Sequence, residues 1–366
     1  MMKKFQQILT LALSLGFLAV FSAWFLIAPD AEESTVERRR LAKRPALSFS
    51  SVTNGSFMND FEKYMLDQFP LRNGFRGLKA TVSAKVFMKK DNNGLYSVGE
   101  HLSKLDFPTD SESVDHAARR FRYVYDTYLR NAGTKTYLSV IPDKNTFIAS
   151  QNGYPDKDYK TLTERLRSGF PEAKYIDISG LLSADDFYYT DSHWRQERIT
   201  KVADEIAAQM GAERIGTCEI QDTGRPFYGV YYGQAALPMP SETIKYLTSD
   251  ILDNCIVTNY ETGKKTTVYD MEKAYGKDPY QMFLSGSISL MTIENPNAKT
   301  DKELIIFRDS FGSSISPLLV EGYAKITLVD IRYIVPDYLG RFVNFEGSDV
   351  LFLYSTLVLN NSETIQ

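Results

Sequence analysis

Histidine is scarce in this sequence, three in 366 residues, so a search for acid–base chemistry is short. A serine hydroxyl is a poor nucleophile at neutral pH unless a neighbouring base takes its proton, and imidazole is the usual base. His116 follows Asp115 in a stretch of helical periodicity, and His101 lies in a polar stretch with Gly94 and Gly99, so both are expected at the surface or at a cap. His193 differs. The run Tyr189-Thr-Asp191-Ser-His193-Trp194 sets an acid two residues before a histidine, just ahead of a helix-like segment. In extended backbone, residues i and i+2 point the same way, so Asp191 is placed to accept a hydrogen bond from His193 Nδ1, leaving Nε2 as the base. The competing reading makes Asp191 a helix N-cap and leaves His193 merely exposed.

The candidate nucleophile comes much later, in Leu304-Ile-Ile-Phe-Arg308-Asp309-Ser310-Phe-Gly312-Ser313. This reads as a buried strand breaking into a turn and then a helix. Such a turn lifts a side chain above the C-terminal edge of a parallel sheet, where open α/β folds bind ligands. Ser310 sits at that point. Backbone N–H groups of the turn and of the following helix are candidates to stabilise an oxyanion, a contribution of roughly 3 to 4 kcal/mol per donor. The bland alternative is that Ser310 or Ser313 only caps the helix.

The elements that must position these residues follow from periodicity. Strands are expected at 136–141, 174–178, 303–307, 325–330 and 350–354, alternating with helices near 157–168, 196–210, 313–320 and 336–342. A further helix is expected at 111–130, where Ala117, Phe121, Val124, Tyr125 and Tyr128 share a stripe. Alternation of this kind predicts an α/β fold, a mostly parallel sheet with helices on both faces. Residues 212–300 interrupt it and read as a β-rich insertion.

Composition sets the class. Hydrophobic residues make up 43% of the chain, enough for a large core, and 42 Lys and Arg against 46 Asp and Glu provide no basic field to hold nucleic acid. Cys218 and Cys255 lack the clustering a zinc site needs, so no metal is expected, and whether they form a disulfide is left open. From Ile8 to Ala28 the chain is uncharged, and at about 1.5 Å per residue it covers roughly 31 Å, the thickness of a bilayer core. Residues 1–28 therefore read as a transmembrane anchor, in preference to a cleaved signal peptide. Lys3 and Lys4 before the span and the acidic residues after it favour an extracytoplasmic globular part, with Arg38, Arg39 and Arg40 counting the other way. Residues 29–60 read as a stalk and 61–366 as the globular domain.

Asp191-Ser-His-Trp194 and Arg308-Asp-Ser-Phe-Gly312 together resemble the bacterial DHHW family and, more distantly, the SGNH-hydrolase-like O-acetyltransferases of alginate production. Glu37-Arg-Arg-Arg-Leu-Ala42, Asp67-Gln-Phe-Pro-Leu-Arg72 and Asp330-Ile-Arg-Tyr333 extend the resemblance over most of the chain. In those transferases the Asp-x-His pair precedes the serine, as it does here. The resemblance implies an SGNH-like fold with Ser310 as nucleophile, His193 as general base and Asp191 as the orienting acid. It also implies a polysaccharide acceptor, a membrane-bound O-acyltransferase (MBOAT) as acyl donor, and no soluble cofactor.

Two departures stand out. Ser192 occupies the second position of the DHHW motif, and Phe283-Leu-Ser-Gly286-Ser287 carries serine where many relatives have Gly-Asn, leaving the Gly286 N–H as an oxyanion candidate. Arg332 reads either as an anion-binding residue or as a structural ion pair, and Lys144 is open in the same way. Three functions follow: an O-acyltransferase, a carbohydrate esterase using the same triad, and a non-enzymatic envelope scaffold or glycan-binding protein.

Overall fold

A computed structural model describes residues 2–366, and the chain divides into two compact units. The first holds the residues up to Asn93 with Tyr232–Pro238; the second holds Gly94–Tyr231 with Met239–Gln366.

In the first unit, helix α1 (Met2–Ile27) is long and apolar enough to cross a membrane. Helices α2 (Ser56–Gln68) and α3 (Arg72–Lys85) follow, each with a single buried residue, Tyr64 and Ala80. They pack against α1 through Phe21, whose ring lies 5.5 Å from Phe69 and 5.7 Å from Phe75, and through Phe25, 5.4 Å from Tyr64. The connecting segment is held by charge. Arg39 pairs with both oxygens of Asp67 at 2.8 and 2.5 Å, while Glu37 takes Arg72 and, at 3.2 Å, Arg76. Helices α2 and α3 thus find their partners around α1 and Glu37.

The second unit is built on one eight-stranded sheet. Its strands are β1 (Lys135–Ile141), β2 (Lys174–Tyr175), β3 (Ile256–Asn259), β4 (Lys265–Thr266), β5 (Leu290–Glu294), β6 (Glu303–Arg308), β7 (Lys325–Val329) and β8 (Asp349–Ser355). Their spatial order is β4-β3-β5-β7-β6-β8-β1-β2. From β7 to β2 neighbouring strands pair parallel; from β7 to β4 they pair antiparallel.

Parallel strands covered on both faces must be apolar on both, and these are. In β8, Leu351 and Leu353 join the core on one face, whereas Val350, Phe352 and Tyr354 join the core on the other. Helices α4 (Ser111–Val124) and α5 (Tyr159–Gly169) cover the second face, with Val114, Phe121, Leu162 and Leu166 in its core. Helix α6 (Thr200–Met210) covers the first with Val202, Ala203 and Ile206, and stops at Gly211, which has φ +66°.

The five expected strands and most expected helices are present, with edges that moved for local reasons. The 313–320 helix is α-helical only over Gly312–Ile315 and continues as a 3-10 turn to Gly322, since Pro317 has no N–H for an α-helical bond. The 212–300 stretch contributes β3, β4 and β5 as an antiparallel extension of the main sheet, beside a separate hairpin of Glu219–Asp222 with Lys245–Thr248.

Candidate active site

Four parallel strands end at one edge of the sheet, and polar residues follow each of them: Asp143 and Lys144 after β1, Asp309 and Ser310 after β6, Asp330 after β7, and Ser355 closing β8. Each strand end leaves backbone groups without ladder partners, so polar side chains gather there. Asp309 shows how the edge is tied. Its carboxylate accepts from Phe311 N–H at 3.0 Å and from Ser355 N–H and Oγ at 2.7 and 2.6 Å, bracing the turn after β6 against the end of β8. Gly312 completes the turn, because a Cβ there would lie 2.6 Å from Arg308 Cβ.

The loop Tyr188–Trp194 comes from the other side of the chain and meets this turn. His193 Nδ1 lies 2.7 Å from Asp191 Oδ1, and His193 Nε2 lies 2.8 Å from Ser310 Oγ. With a carboxylate against Nδ1, that nitrogen carries the proton, and Nε2 is left to accept from the serine hydroxyl. Asp191 is buried, and its second oxygen accepts from Val230 N–H at 2.8 Å. Gly229 is required for that approach, since any Cβ would collide with the Asp191 backbone and side chain. Its own N–H donates to Thr190 Oγ1 at 2.8 Å, so the 229–231 segment clamps the acid from behind.

Tyr280 and Gln196 join this site without a signal in the sequence motifs, and Trp194 of the Asp191–Trp194 motif gains a structural role. Tyr280 stacks on the His193 ring at 3.8 Å and 14°, and its hydroxyl meets Ser314 Oγ at 2.9 Å. Burial pushes the Tyr280 phenol far above its ordinary range, so it serves as a neutral wall that fixes the imidazole plane. Trp194 donates through Nε1 to Ser314 Oγ at 2.8 Å, and Gln196 donates to Ser314 O at 2.8 Å. These bonds fasten the histidine loop to the serine turn.

Lys144 is the residue sequence reasoning left open, and it too belongs to the loop. Its fully buried ammonium donates to the carbonyls of Tyr188, Tyr189 and Asp191 at 2.7, 3.0 and 2.9 Å. Burial pulls its pKa down to about 7 against the opposing pull of Asp191 and Glu242.

The oxyanion candidates are differently placed. Gly286 has φ +89° and spends its N–H on Phe283 O at 3.2 Å within its own turn. Arg332 is paired with Asp330 through Nε and Nη2 at 2.8 and 2.6 Å. In the serine turn, Phe311, Gly312 and Ser313 also spend their N–H groups locally, which leaves the Ser310 amide as the donor outside these bonds.

His116 meets Ser362 Oγ at 3.0 Å, and His101 lies 3.4 Å from Asp185. Cys218 and Cys255 are free thiols, the second pushed up to about 11 by burial. Among the described residues, no group of three or more His, Cys, Asp or Glu side chains is arranged to hold a metal ion.

No family model matches the sequence, and no curated protein matches it. Solved structures do. A DHHW family protein from Eubacterium siraeum superposes with a TM-score of 0.61 at 18% identity, covering 75% of this chain and 95% of that one. The chain shares the fold of a DHHW family protein. PatB1 of Bacillus cereus superposes with a TM-score of 0.58 at 16% identity over 72% of this chain and 96% of its own, and a second PatB1 structure carries a sulfonyl adduct. At such identities the likeness speaks for the fold, and the chemistry rests on the side chains of this chain.

Proposed function

We propose that this protein is an extracytoplasmic, membrane-anchored O-acyltransferase that carries an acyl group, of the acetyl kind, on Ser310 and passes it to a hydroxyl of an envelope or secreted polysaccharide. The observation that carries the reading is the continuous hydrogen-bonded chain from Asp191 through His193 to Ser310 Oγ.

In the first step Ser310 Oγ attacks the acyl carbonyl while His193 Nε2 takes the hydroxyl proton. The tetrahedral oxyanion collapses, the donor leaves with that proton, and an ester on Ser310 remains. In the second step a sugar hydroxyl gives its proton to Nε2 and attacks the ester, and the tetrahedral adduct collapses to the sugar ester as the Ser310 Oγ–acyl bond breaks and Oγ takes that proton back from Nε2. Asp191 stabilises the imidazolium in both. The Ser310 amide is the oxyanion donor this geometry favours. The membrane-crossing helix and the basic residues ahead of it support an extracytoplasmic site, and the family resemblance supports an MBOAT as donor of the acyl group.

Transfer and hydrolysis share the acyl-enzyme and differ only in the acceptor that reaches it. The test has two arms. Full-length protein incubated with a sulfonyl fluoride, or with an activated acetyl ester, should gain the corresponding mass on Ser310 and on no other residue. Labelling that persists in Ser310→Ala defeats the assignment. Supplying oligosaccharides to the acetylated protein should then yield acetylated sugar in excess of free acetate; acetate alone makes it an esterase, and no labelling at all leaves a scaffold.

A further inference from the structure

The helices beside the membrane-crossing segment carry an apolar surface that neither the triad nor the anchor accounts for. From Phe75, which packs on α1, the stripe runs on through Leu78 and Val82 of α3 to Val86 just past its end, at three- and four-residue spacing. Leu78 is 60% exposed and Val86 68%, and Phe87 beyond the helix is 68% exposed. Helix α2 shows Met58 and Met65 on one face with half-buried Phe61 between them. A soluble surface rarely leaves so many large apolar side chains bare in one region.

What covers them follows from depth. A bilayer core takes about twenty helical residues. The uncharged run of α1 and its end extends from Phe5 to Ala28, and any twenty consecutive residues of it include Phe21. Phe69 stacks on Phe21 with ring planes 2° apart, and Phe75 meets the same ring edge-on. The junction of α2 and α3 therefore reaches the apolar layer beside α1. The opposite side of that junction is polar: Arg72 and Arg76 bind Glu37, and Asp67 binds Arg39, which holds both helices in a fixed attitude to the chain leaving the membrane. Exposed Lys79, Lys85 and Lys89 flank the apolar stripe, as on helices that lie in a headgroup layer.

We propose that α2 and α3 form an interfacial platform, lying in the membrane surface at the C-terminal end of α1 with Met65, Leu78, Val86 and Phe87 inserted among lipid acyl chains. The inference requires α1 to cross the membrane and is independent of the chemistry at Ser310. The platform makes the anchor a rigid mount, since two further helices share its depth.

Depth-dependent quenching tests this. Full-length protein with Cys218 and Cys255 changed to serine is reconstituted in phosphatidylethanolamine–phosphatidylglycerol vesicles, with one environment-sensitive fluorophore on a single introduced cysteine. At Met65→Cys, Leu78→Cys and Val86→Cys, blue-shifted emission quenched by a lipid nitroxide near the headgroup is expected. Lys63→Cys on the polar side of α2 should stay water-like, and Leu18→Cys in α1 should be quenched by a deep nitroxide. Water-like emission at Leu78 with Leu18 quenched overturns the platform alone. Blue-shifted emission at Leu78 without nitroxide quenching also overturns it, because a second copy of the chain then covers the face. An unquenched Leu18 removes both anchor and platform.

Discussion

Two clusters of charged side chains, one in each compact unit, look alike as inventories and differ in what they leave unsatisfied. In the first unit, Glu37 and Asp67 receive Arg39, Arg72 and Arg76, so that every carboxylate faces a guanidinium. In the second, buried Asp191 faces an imidazole whose other nitrogen ends on a hydroxyl at the open edge of a sheet. The first arrangement is closed and holds backbone in place. The second is directional: each group passes polarity to the next, and the last has a proton to give. Paired charge alone therefore does not mark a site; an unfinished chain of hydrogen bonds at a strand terminus does.

The largest effects should break the second cluster without unfolding it. Ser310→Ala should lower acyl transfer by at least about 10^4-fold, and Asp191→Asn by about 10^3- to 10^4-fold through loss of the correct tautomer. Both should keep the wild-type circular dichroism spectrum. An Asp191→Asn variant of near-native rate would reduce the site to the same structural standing as the Glu37 cluster.

Lys144 sharpens the contrast through pH. Its folded pKa of about 7 lies below the roughly 10.4 of a free lysine. Between those values the folded state binds fewer protons than the unfolded state, so stability rises with pH from about 7 toward about 10. Asp191, Glu242 and Asp143 oppose this shift, and Arg195 adds to it. Lys144→Met should flatten that rise, by up to about 1.4 kcal/mol per pH unit in chemical denaturation, and should lower turnover by freeing the 188–191 carbonyls. A slope unchanged in the variant would show that another group sets it.

Gly229→Ala should cost about 1 to 3 kcal/mol, because the added methyl group must displace Asp191 or the Thr190 carbonyl. Turnover should fall with it, and retained activity would show that the acid tolerates a looser clamp. The smallest effect belongs to the closed cluster. Arg39→Met should cost under about 1 kcal/mol, as partly exposed ion pairs do. The Asp67 carboxyl is held down to about 2, first by the hydrogen bond from Arg39. Its contribution is therefore present above the unfolded value of about 3.9 and lost as pH falls toward about 2. The gap in melting temperature between wild type and Arg39→Met should close over that window.

Much of this architecture was legible in the residues alone because it is local. The continuous apolar runs at 304–307 and 350–354, the helical stripe at 200–210 and the uncharged run at 8–28 each declare themselves within one element. The Asp191–His193 pairing is likewise a matter of two residues. Other features needed the folded chain. Residues 212–300 read as a β-rich insertion, and only the folded chain shows that β5 pairs with β7 inside the main sheet, a register that depends on strands far away. Tyr280 and Gly229 meet His193 and Asp191 from distant segments, and nothing in their own neighbourhoods announces it; Lys144 stood out at the end of β1, but its bonds to the 188–191 carbonyls needed the folded chain. The approach of His193 to Ser310 spans 117 residues. Chemical type and short spacing are written along the chain, whereas the meeting of two loops is decided by sheet order and by the packing that brings strand ends to one edge.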